Sequence, residues 1–566
     1  MTAELTESES GEAPQSQDGV IKAGGPTPPA APEGPPAAAE APPAAAEAPP
    51  PSPLAAPRAR SRRRPRASTA GPRSVKLAAP PHFRLLDLGA LADDLVVTTG
   101  NDRQLQTTYF DTPDLRLVRW GATLRHRAGE GWLLRLPDPD RGGHAPEHEP
   151  HGHELRFDGP PTAVPPEAVR ALTAYVRSAR LVPVARLRTV RRVITVLTHE
   201  GLPLAEIDDD EVSVLDGRRV AARFREVEVE LRPGAPAPLL DAILERLHAA
   251  GAGVIDPTPK LVHALGARAL EPPEVEVADL PERPTAADVV RRALASSVTR
   301  LLRHDAGVRR GGDPEDVHQA RVATRRLRSD LQTFSGLLEE DFVADLRGEL
   351  KWVADELGTV RDTEVLLERL GASADRLPPE DRAAGHRLLA GLEAQLVSGR
   401  AELLASIAAP RYLRLLDRLV AAAQRPAFLP GAHAPAGQVL PGLIDKPWRQ
   451  IRRAVAALGD EPEDEALHDI RIRAKRLRYA AEAAAAASGK RMAALGAAAA
   501  GLQSVLGEFH DAIVADEWLR AHAGRGAAAF AAGQLSAAER AAAERQRTSW
   551  QPAWKQLRRA AARAWS

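Results

Sequence analysis

The chain has 566 residues, with 76 Lys+Arg against 76 Asp+Glu, 16 His and no Cys. That length exceeds one compact core and implies roughly two to four domains plus tails. The charge balance excludes a uniformly basic polyanion binder, so any charge-driven function must come from local segregation; the missing Cys excludes disulfides, thiolate metal sites and Cys nucleophiles.

There is no run of about 18 apolar residues and no basic-then-apolar leader, so neither membrane spanning nor secretion is predicted and a cytoplasmic protein is expected. Arg greatly outnumbers Lys and Ala is abundant, which points to a GC-rich bacterial genome.

Residues 1–73 are dominated by Pro, Ala, Glu and Ser and hold almost no aromatic or branched apolar residues. Such a segment buries too little surface to offset its ordering entropy and is predicted to be a disordered tail. It ends in a basic cluster, Arg58, Arg60, Arg62, Arg63, Arg64 and Arg66, which reads either as a solvated linker or as an auxiliary polyanion-binding arm.

From about 74 to 270 the pattern is short alternating segments broken by turn residues, the signature of antiparallel strands. Val212 to Leu215, then Asp216-Gly217, then Arg218 to Val220 predicts a hairpin. A helix is predicted from Leu239 to His248, closed by Gly251. Alternation places Arg125 with Arg127 on one strand face, Glu206 with Asp208 on another, and Glu226, Glu228 and Glu230 together opposite Val227, Val229 and Leu231. A sheet with one wet face accounts for this. So does a closed barrel with a charged lumen, where acids would hold divalent cations and bases would hold phosphates. His144, His148, His151 and His153 fall in a Gly- and Pro-rich stretch without regular spacing and read as a solvated loop rather than metal ligands.

Residues 271–283 read as a Pro- and Glu-rich linker, and 284–566 as all-helical, with Ala runs that favour helix and punctuation at Leu377-Pro378-Pro379 and from Pro426 to Pro441. This half contains an internal repeat. His318-Gln319-Ala320-Arg321-Val322-Ala323-Thr324-Arg325-Arg326-Leu327-Arg328 recurs as His468-Asp469-Ile470-Arg471-Ile472-Arg473-Ala474-Lys475-Arg476-Leu477-Arg478. Some forty residues later, Leu357-Gly358-Thr359-Val360-Arg361-Asp362 is matched by Leu506-Gly507-Glu508-Phe509-His510-Asp511, so the unit is duplicated.

At 100° per residue His318, Arg321, Arg325 and Arg328 form one narrow stripe, opposite Ala320, Ala323, Leu327, Leu331 and Phe334. His468, Arg471, Lys475 and Arg478 repeat it against Ile470, Leu477 and Ala481, with Arg473 near the apolar side. Like charges at i,i+4 destabilise a helix by about 0.2–0.5 kcal/mol per pair, so something negative is expected at each stripe. A solvated face, or a salt-bridge network with Asp362 and Asp511, would serve for one copy; two copies with the same geometry favour a ligand. Two rows of Arg and Lys suit a linear phosphate polymer, because guanidinium groups fork onto phosphate oxygens. Nucleic acid is the rival partner, but the two cationic stripes carry few aromatics, with Tyr479 alone adjoining one, which argues against base stacking.

The duplicated His-x-x-Arg-x-x-x-[Arg/Lys]-Arg-Leu-Arg followed by Leu-Gly-x-x-[Arg/His]-Asp resembles the CHAD family, helical domains that bind inorganic polyphosphate. The resemblance covers about 284–566 and implies two pseudo-symmetric four-helix bundles whose basic helices line a shared surface or pore. It implies contacts from His318, Arg321, Arg325, Arg328, Lys351 and Arg361 in the first half and from His468, Arg471, Lys475, Arg478 and His510 in the second. Ala500 stands where the first half has Lys351, so that side of the second half is expected to contribute less.

Tyr109-Phe110-Asp111-Thr112-Pro113, Leu124-Arg125-His126-Arg127, Trp132 to Arg135, Phe224 to Leu231 and Pro259-Lys260 resemble the CYTH family of triphosphate tunnel enzymes, over about 74–270. Members hydrolyse or cyclise triphosphates with Mg²⁺ or Mn²⁺ in an eight-stranded tunnel. Their Glu-x-Glu-x-Lys hallmark is replaced here by Pro72-Arg73-Ser74-Val75-Lys76, which keeps the Lys and neither glutamate.

The resemblance implies phosphate contacts from Arg125, Arg127, Arg135, Arg188, Arg191, Arg192 and Lys260, a metal held by Glu206, Asp208, Glu228 and Glu230, and catalysis by Glu226, Glu228 and Lys76. Without the leading glutamates, retained or altered phosphate binding with weak or absent hydrolysis is expected.

The expected fold is therefore multidomain α+β: an antiparallel β tunnel followed by duplicated helical bundles. The expected function is binding of inorganic polyphosphate, at polyphosphate granules for instance, with no cofactor required. The competing expectation is a Mg²⁺- or Mn²⁺-dependent triphosphatase, and nucleic-acid binding is a third.

Overall fold

The computed structural model describes residues 74–84, 95–140, 153–459 and 461–565. The Arg58–Arg66 cluster, Pro72, Arg73, His144, His148 and His151 lie outside them.

The first half is one antiparallel sheet of nine strands: β1 (Ser74–Ala79), β2 (Leu95–Thr99), β3 (Arg103–Asp111), β4 (Thr123–Arg127), β5 (Gly131–Leu136), β6 (His153–Phe157), β7 (Val182–Thr198), β8 (Pro203–Asp216) and β9 (Arg219–Leu231). The path runs β1-β9-β8-β7-β3-β4-β5-β6, and β2 pairs with the far end of the long β7. Between these strands lie the short helices α1 (Arg116–Arg119), α2 (Pro166–Ala171) and α3 (Thr173–Val176), followed by α4 (Ala237–Ala249) and α5 (Lys260–Leu265).

The hairpin of β8 and β9 forms as the sequence predicts, with Asp216 opposite Arg219. Its two turn residues are Gly217-Arg218, one position later than expected. Gly217 takes φ 59°, the first central position of a type II′ turn, where a side chain would strain the backbone.

Alternation sorts the two faces. Val75, Leu77, Val227, Val229 and Ile207 form one core with Leu240, Ile243 and Leu247 of α4. Phe110, Leu124, Trp132 and Leu134 point into a second core that is continuous with the helical half.

The helical half contains α6 (Ala286–Arg310), α7 (Pro314–Thr333), α8 (Glu340–Ala374), α9 (Pro379–Ala408) and α10 (Pro410–Gln424), then α11 (Ala436–Ala456), α12 (Asp464–Ser488), α13 (Lys490–Ala521), α14 (Ala527–Arg547) and α15 (Trp550–Ala564). Each repeat thus supplies five helices among the described residues, one more than the resemblance implies. The predicted break from Pro426 to Pro441 is shorter than expected, because α11 begins at Ala436 and carries Pro441 and Pro447 inside it.

The motif helices α7 and α12 pack against each other, with α8 beside α7 and α13 beside α12. The apolar stripe assigned to each is buried: Ala320, Ala323, Leu327, Leu331 and Phe334 in one, Ile470, Leu477 and Ala481 in the other. Among the described residues α13 alone is long and apolar enough, by length and composition, to cross a membrane. Here its Leu495, Leu502, Leu506 and Leu519 are buried and it packs against α12, α14 and α15, as a bundle core helix does.

Residues 271–283 form no helix or strand, but they are tied down: the Trp120 indole donates to Glu274 at 2.9 Å and Val275 is buried. Arg177, buried at the end of α3, binds Glu274 at 2.8 Å and Asp417 of α10 at 2.9 Å. Helices α2 and α3 pack on α6, so sheet and bundle share a core.

Candidate functional site

Helix α7 starts where its sequence dictates. Asp313 caps it by accepting from the Glu315 N–H at 2.9 Å, Pro314 fills the first turn, and Glu315 and Asp316 complement the helix dipole. Asp316 also bonds His304 of α6 at 2.9 Å, in space left by Gly307, where a Cβ would overlap its carboxylate. With α7 so fixed, His318, Arg321, Arg325 and Arg328 line the space that α7 shares with α8 and α12.

Two cavities follow. The first, of about 460 Å³, is lined by His318, Arg321 and Arg325 of α7, Arg361, Asp362 and Arg369 of α8, His468 and Arg471 of α12, and His510 and Asp511 of α13. The second, of about 530 Å³, is lined by Arg325 and Arg328 of α7, Arg347 of α8, Lys446 of α11, and Lys475, Arg476 and Tyr479 of α12. Arg325 borders both, so the two repeats jointly frame one groove.

The arrangement is short of counter-ions. In the first cavity Arg321 Nη2 donates to both carboxylate oxygens of Asp362, at 3.0 and 3.1 Å, and Arg361 reaches Glu364 at 3.3 Å. Asp511, the counterpart of Asp362, makes no such bond to Arg471, and burial pushes its carboxyl up. The Arg471 Nε, His468 Nδ1, Arg328 Nε and Arg347 Nε atoms are buried without a hydrogen-bond partner among the described residues. Burial, then the neighbouring guanidinium groups of Arg321 and Arg471, disfavours the charged form of Arg325; burial with Arg328 and Arg476 does the same to Arg347.

The His468 and His510 rings touch, with centroids 4.4 Å apart. Burial, with Arg471 and His468 adding to it, holds His510 down at about 4, and burial likewise lowers His318.

The repeated glycine of the second motif has a structural reason. A Cβ on Gly358 would overlap Arg321 Nη1, so only glycine lets that guanidinium lie across α8. Gly507 faces Arg471 in the same way, at a looser 3.6 Å from its Nε.

Two residues assigned from the resemblance stand apart from the groove. Lys351 is exposed and bonded to Asp355 at 2.7 Å. Arg478 turns to Glu482 at 2.7 Å. Arg473, which intruded on the apolar side in the sequence, is drawn off by Asp469 at 2.6 Å. The sequence reading missed Arg347, Arg369, Lys446 and Arg476. Arg347 lies 11 residues before Gly358, three helical turns along the same stripe of α8, and that spacing was a usable signal.

On the sheet, strand register puts Ser74, Lys76, Glu206, Asp208, Asp210, Glu226, Glu228, Glu230 and Arg191 on one face, which continues to Arg125, Arg127 and Arg135. Arg188 and Arg192 alternate to the other face, where Arg192 pairs with Asp102 at 3.0 Å.

The charged face is neutralised from within. Glu226 receives Lys76 at 3.4 Å and also Lys260, which reaches Asp210 at 3.1 Å as well. Arg191 binds Asp208 and, at 2.7 Å, Asp210. Glu206 and Glu230 both contact Arg232, at 2.6 and 3.4 Å. Arg127 and Arg135 are engaged by Glu130 at 3.1 Å and Glu154 at 2.5 Å. The same face is partly filled by the chain itself: Leu261 and Val262 of α5 pack on Tyr109, Leu187 and Val212. Asp111, in the motif before α1, accepts from the Leu117 and Val118 N–H groups at 2.8 and 3.0 Å and so caps that helix.

Ser74 shares the face of Lys76 and donates to Glu228 at 3.4 Å, so a hydroxyl occupies the position of the second missing glutamate. Burial raises Asp208 to about 6, and its Oδ1 has no hydrogen-bond partner among the described residues. Yet among the described residues no three His, Asp or Glu side chains are gathered as metal ligands require. As arranged, the donor set does not fit a Mg²⁺ or Mn²⁺ ion.

Family models match this chain twice, a CYTH domain over residues 75–252 and a CHAD domain over 292–520. The chain is a CYTH and CHAD domain-containing protein. The uncharacterized protein Rv2226 of Mycobacterium tuberculosis is 35% identical over 451 residues, 74% of this chain and 82% of the relative. Among solved structures, the CHAD domain from the plant Ricinus communis is 24% identical with a TM-score of 0.41, covering 49% of this chain and 94% of that one. A Hippeastrum protein whose structure is described as revealing a dominant triphosphatase activity is 18% identical with a TM-score of 0.21, covering 34% of this chain and 93% of that one. In the CHAD domain, the groove lies between the motif helices of the two repeats.

Proposed function

We propose that the CHAD domain binds inorganic polyphosphate in the groove between α7 and α12, and that the CYTH domain is a degenerate tunnel without a metal-dependent hydrolytic step. The observation that carries this reading is the crowding of cations around Arg325, with the half-buried Arg328, Arg347, Arg471 and Lys475 and the exposed Arg476 forming no ion pair among the described residues. Packing like charges without counter-ions is unfavourable, and a flexible anion with a charge at every repeat relieves it along the whole groove. Nucleic acid fits less well, since among the described residues Tyr479 is the only Phe, Tyr or Trp lining either cavity and its ring is flanked by Arg326 and Arg478.

The test is a titration of labelled polyphosphate against the full chain and an Arg325→Glu/Arg471→Glu variant at several salt concentrations. Phosphate neutralisation releases counterions, so affinity should fall steeply with salt, and the variant should lose both affinity and slope. Unchanged binding by the variant would refute the assignment of the groove. Association with polyphosphate granules belongs to the same proposal.

A metal-dependent triphosphatase is the second reading, favoured by the unpartnered Asp208 Oδ1 opposite Glu228. Phosphate release from tripolyphosphate with Mg²⁺ or Mn²⁺, abolished by Glu228→Gln, would establish it. No release is expected.

A further inference from the structure

We propose that the groove consists of two anion compartments in series, and that the one built by Arg347, Lys446 and Arg476 reserves tight binding for linear polyphosphates long enough to pass Arg325 and occupy both. This rests on the polyphosphate reading and adds a specificity to it.

The compartments differ in chemistry. The one nearer the start of α7 mixes cations with histidines and two carboxylates, Asp362 and Asp511. Among the described residues the other carries six cationic side chains and no carboxylate. Only Lys475, Arg328 and Arg325 of those six come from positions that the repeated motifs mark for phosphate. Arg347 enters from α8, Lys446 from α11, and Arg476 from the α12 turn beside Lys475.

The Arg328 and Arg347 Nε atoms are buried there without partners among the described residues, so donors already desolvated by folding await an acceptor. The compartments succeed each other along α7, from His318 in the first to Gln332 in the second, about 21 Å at 1.5 Å rise per residue.

A compact triphosphate can satisfy one compartment at a time. A long chain engages both, and the second engagement is intramolecular, at high effective concentration and without a new association cost.

The experiment compares tripolyphosphate with a size-fractionated chain of tens of phosphates on three full-length proteins: the native chain, an Arg321→Gln/Arg361→Gln variant and an Arg347→Gln/Arg476→Gln variant. Circular dichroism melts check that each folds, and a single Lys446→Gln variant, at an exposed position, gives an independent perturbation of the second compartment. The long chain should lose at least about tenfold in affinity with each double variant, and tripolyphosphate with only one of them. Lys446→Gln should weaken the long chain in the same direction as Arg347→Gln/Arg476→Gln.

Long-chain affinity that ignores both second-compartment variants, or short and long chains weakened equally by both double variants, would overturn the two-compartment inference. If the native chain bound neither ligand, the polyphosphate reading itself would fail, and that outcome is distinct from the first two.

Discussion

Replacing each repeated glycine by alanine should separate the two halves of the groove. In a helix interior alanine is worth up to about 1 kcal/mol over glycine. At Gly507 the added methyl meets Arg471 Nε at 3.6 Å, an ordinary contact, so Gly507→Ala should raise stability by up to about 1 kcal/mol and leave affinity unchanged.

At Gly358 the methyl overlaps Arg321 Nη1, and the guanidinium must swing off α8, giving up its two bonds to Asp362. The Asp362 side chain is 73% exposed, so that pair is worth about 0–1 kcal/mol, which offsets the gain in helix propensity. Stability should therefore barely change while one charge-assisted phosphate contact is lost. Such a contact is worth about 1.5–3 kcal/mol, or about a 10- to 150-fold loss of affinity. Urea melts and polyphosphate titrations on both variants decide the matter. Gly358→Ala binding as tightly as Gly507→Ala would refute the role given to Arg321.

Acid should weaken the fold through His510. Its folded value is pushed from 6.5 to about 4, so between those values the unfolded chain holds a proton that the folded chain does not, and stability falls as pH drops through that window. Urea melts at about pH 7.5 and about pH 5 should show a smaller loss for His510→Gln than for the native chain. Polyphosphate binding should respond in the opposite sense, strengthening with acid, because bound phosphate favours the imidazolium form.

In the sheet, Glu226→Gln would leave Lys76 and Lys260 buried without their shared carboxylate and should cost about 3–5 kcal/mol in a urea melt. A loss below about 1 kcal/mol would contradict the internal neutralisation of that face. Arg177→Ala should cost about as much by stranding Glu274 between sheet and bundle, read from the same experiment.

The cationic stripes and their apolar backs were legible because a helix maps spacing onto faces, and α7 and α12 each follow one unbroken period. Which cations serve the groove was also partly written in the sequence. Lys351 and Arg478 each have a carboxylate four residues on, Asp355 and Glu482, and each turns to it. Arg325, Arg328, Arg471, Lys475 and Arg476 have no acid four residues on, and they remain for the groove. Lys446 could not be found this way, because its place beside Arg347 is created by the packing of α11 near α7 and α12.

On the sheet, alternation correctly grouped the acids on one face. The insertion of Lys260 from α5 into that face depends on how the chain folds back after α4, which no local pattern records. Asp316 and Gly307 illustrate the same limit: they are nine residues apart, and their fit appears only when α6 and α7 are antiparallel neighbours.

The most direct test of the central claim is an experimental structure of the full chain with a polyphosphate of defined length. Density for successive phosphates should run between α7 and α12, past His468 and His510, over Arg325 and on toward Arg347. Phosphates bound instead at the charged face of the sheet, with the groove empty, would contradict it.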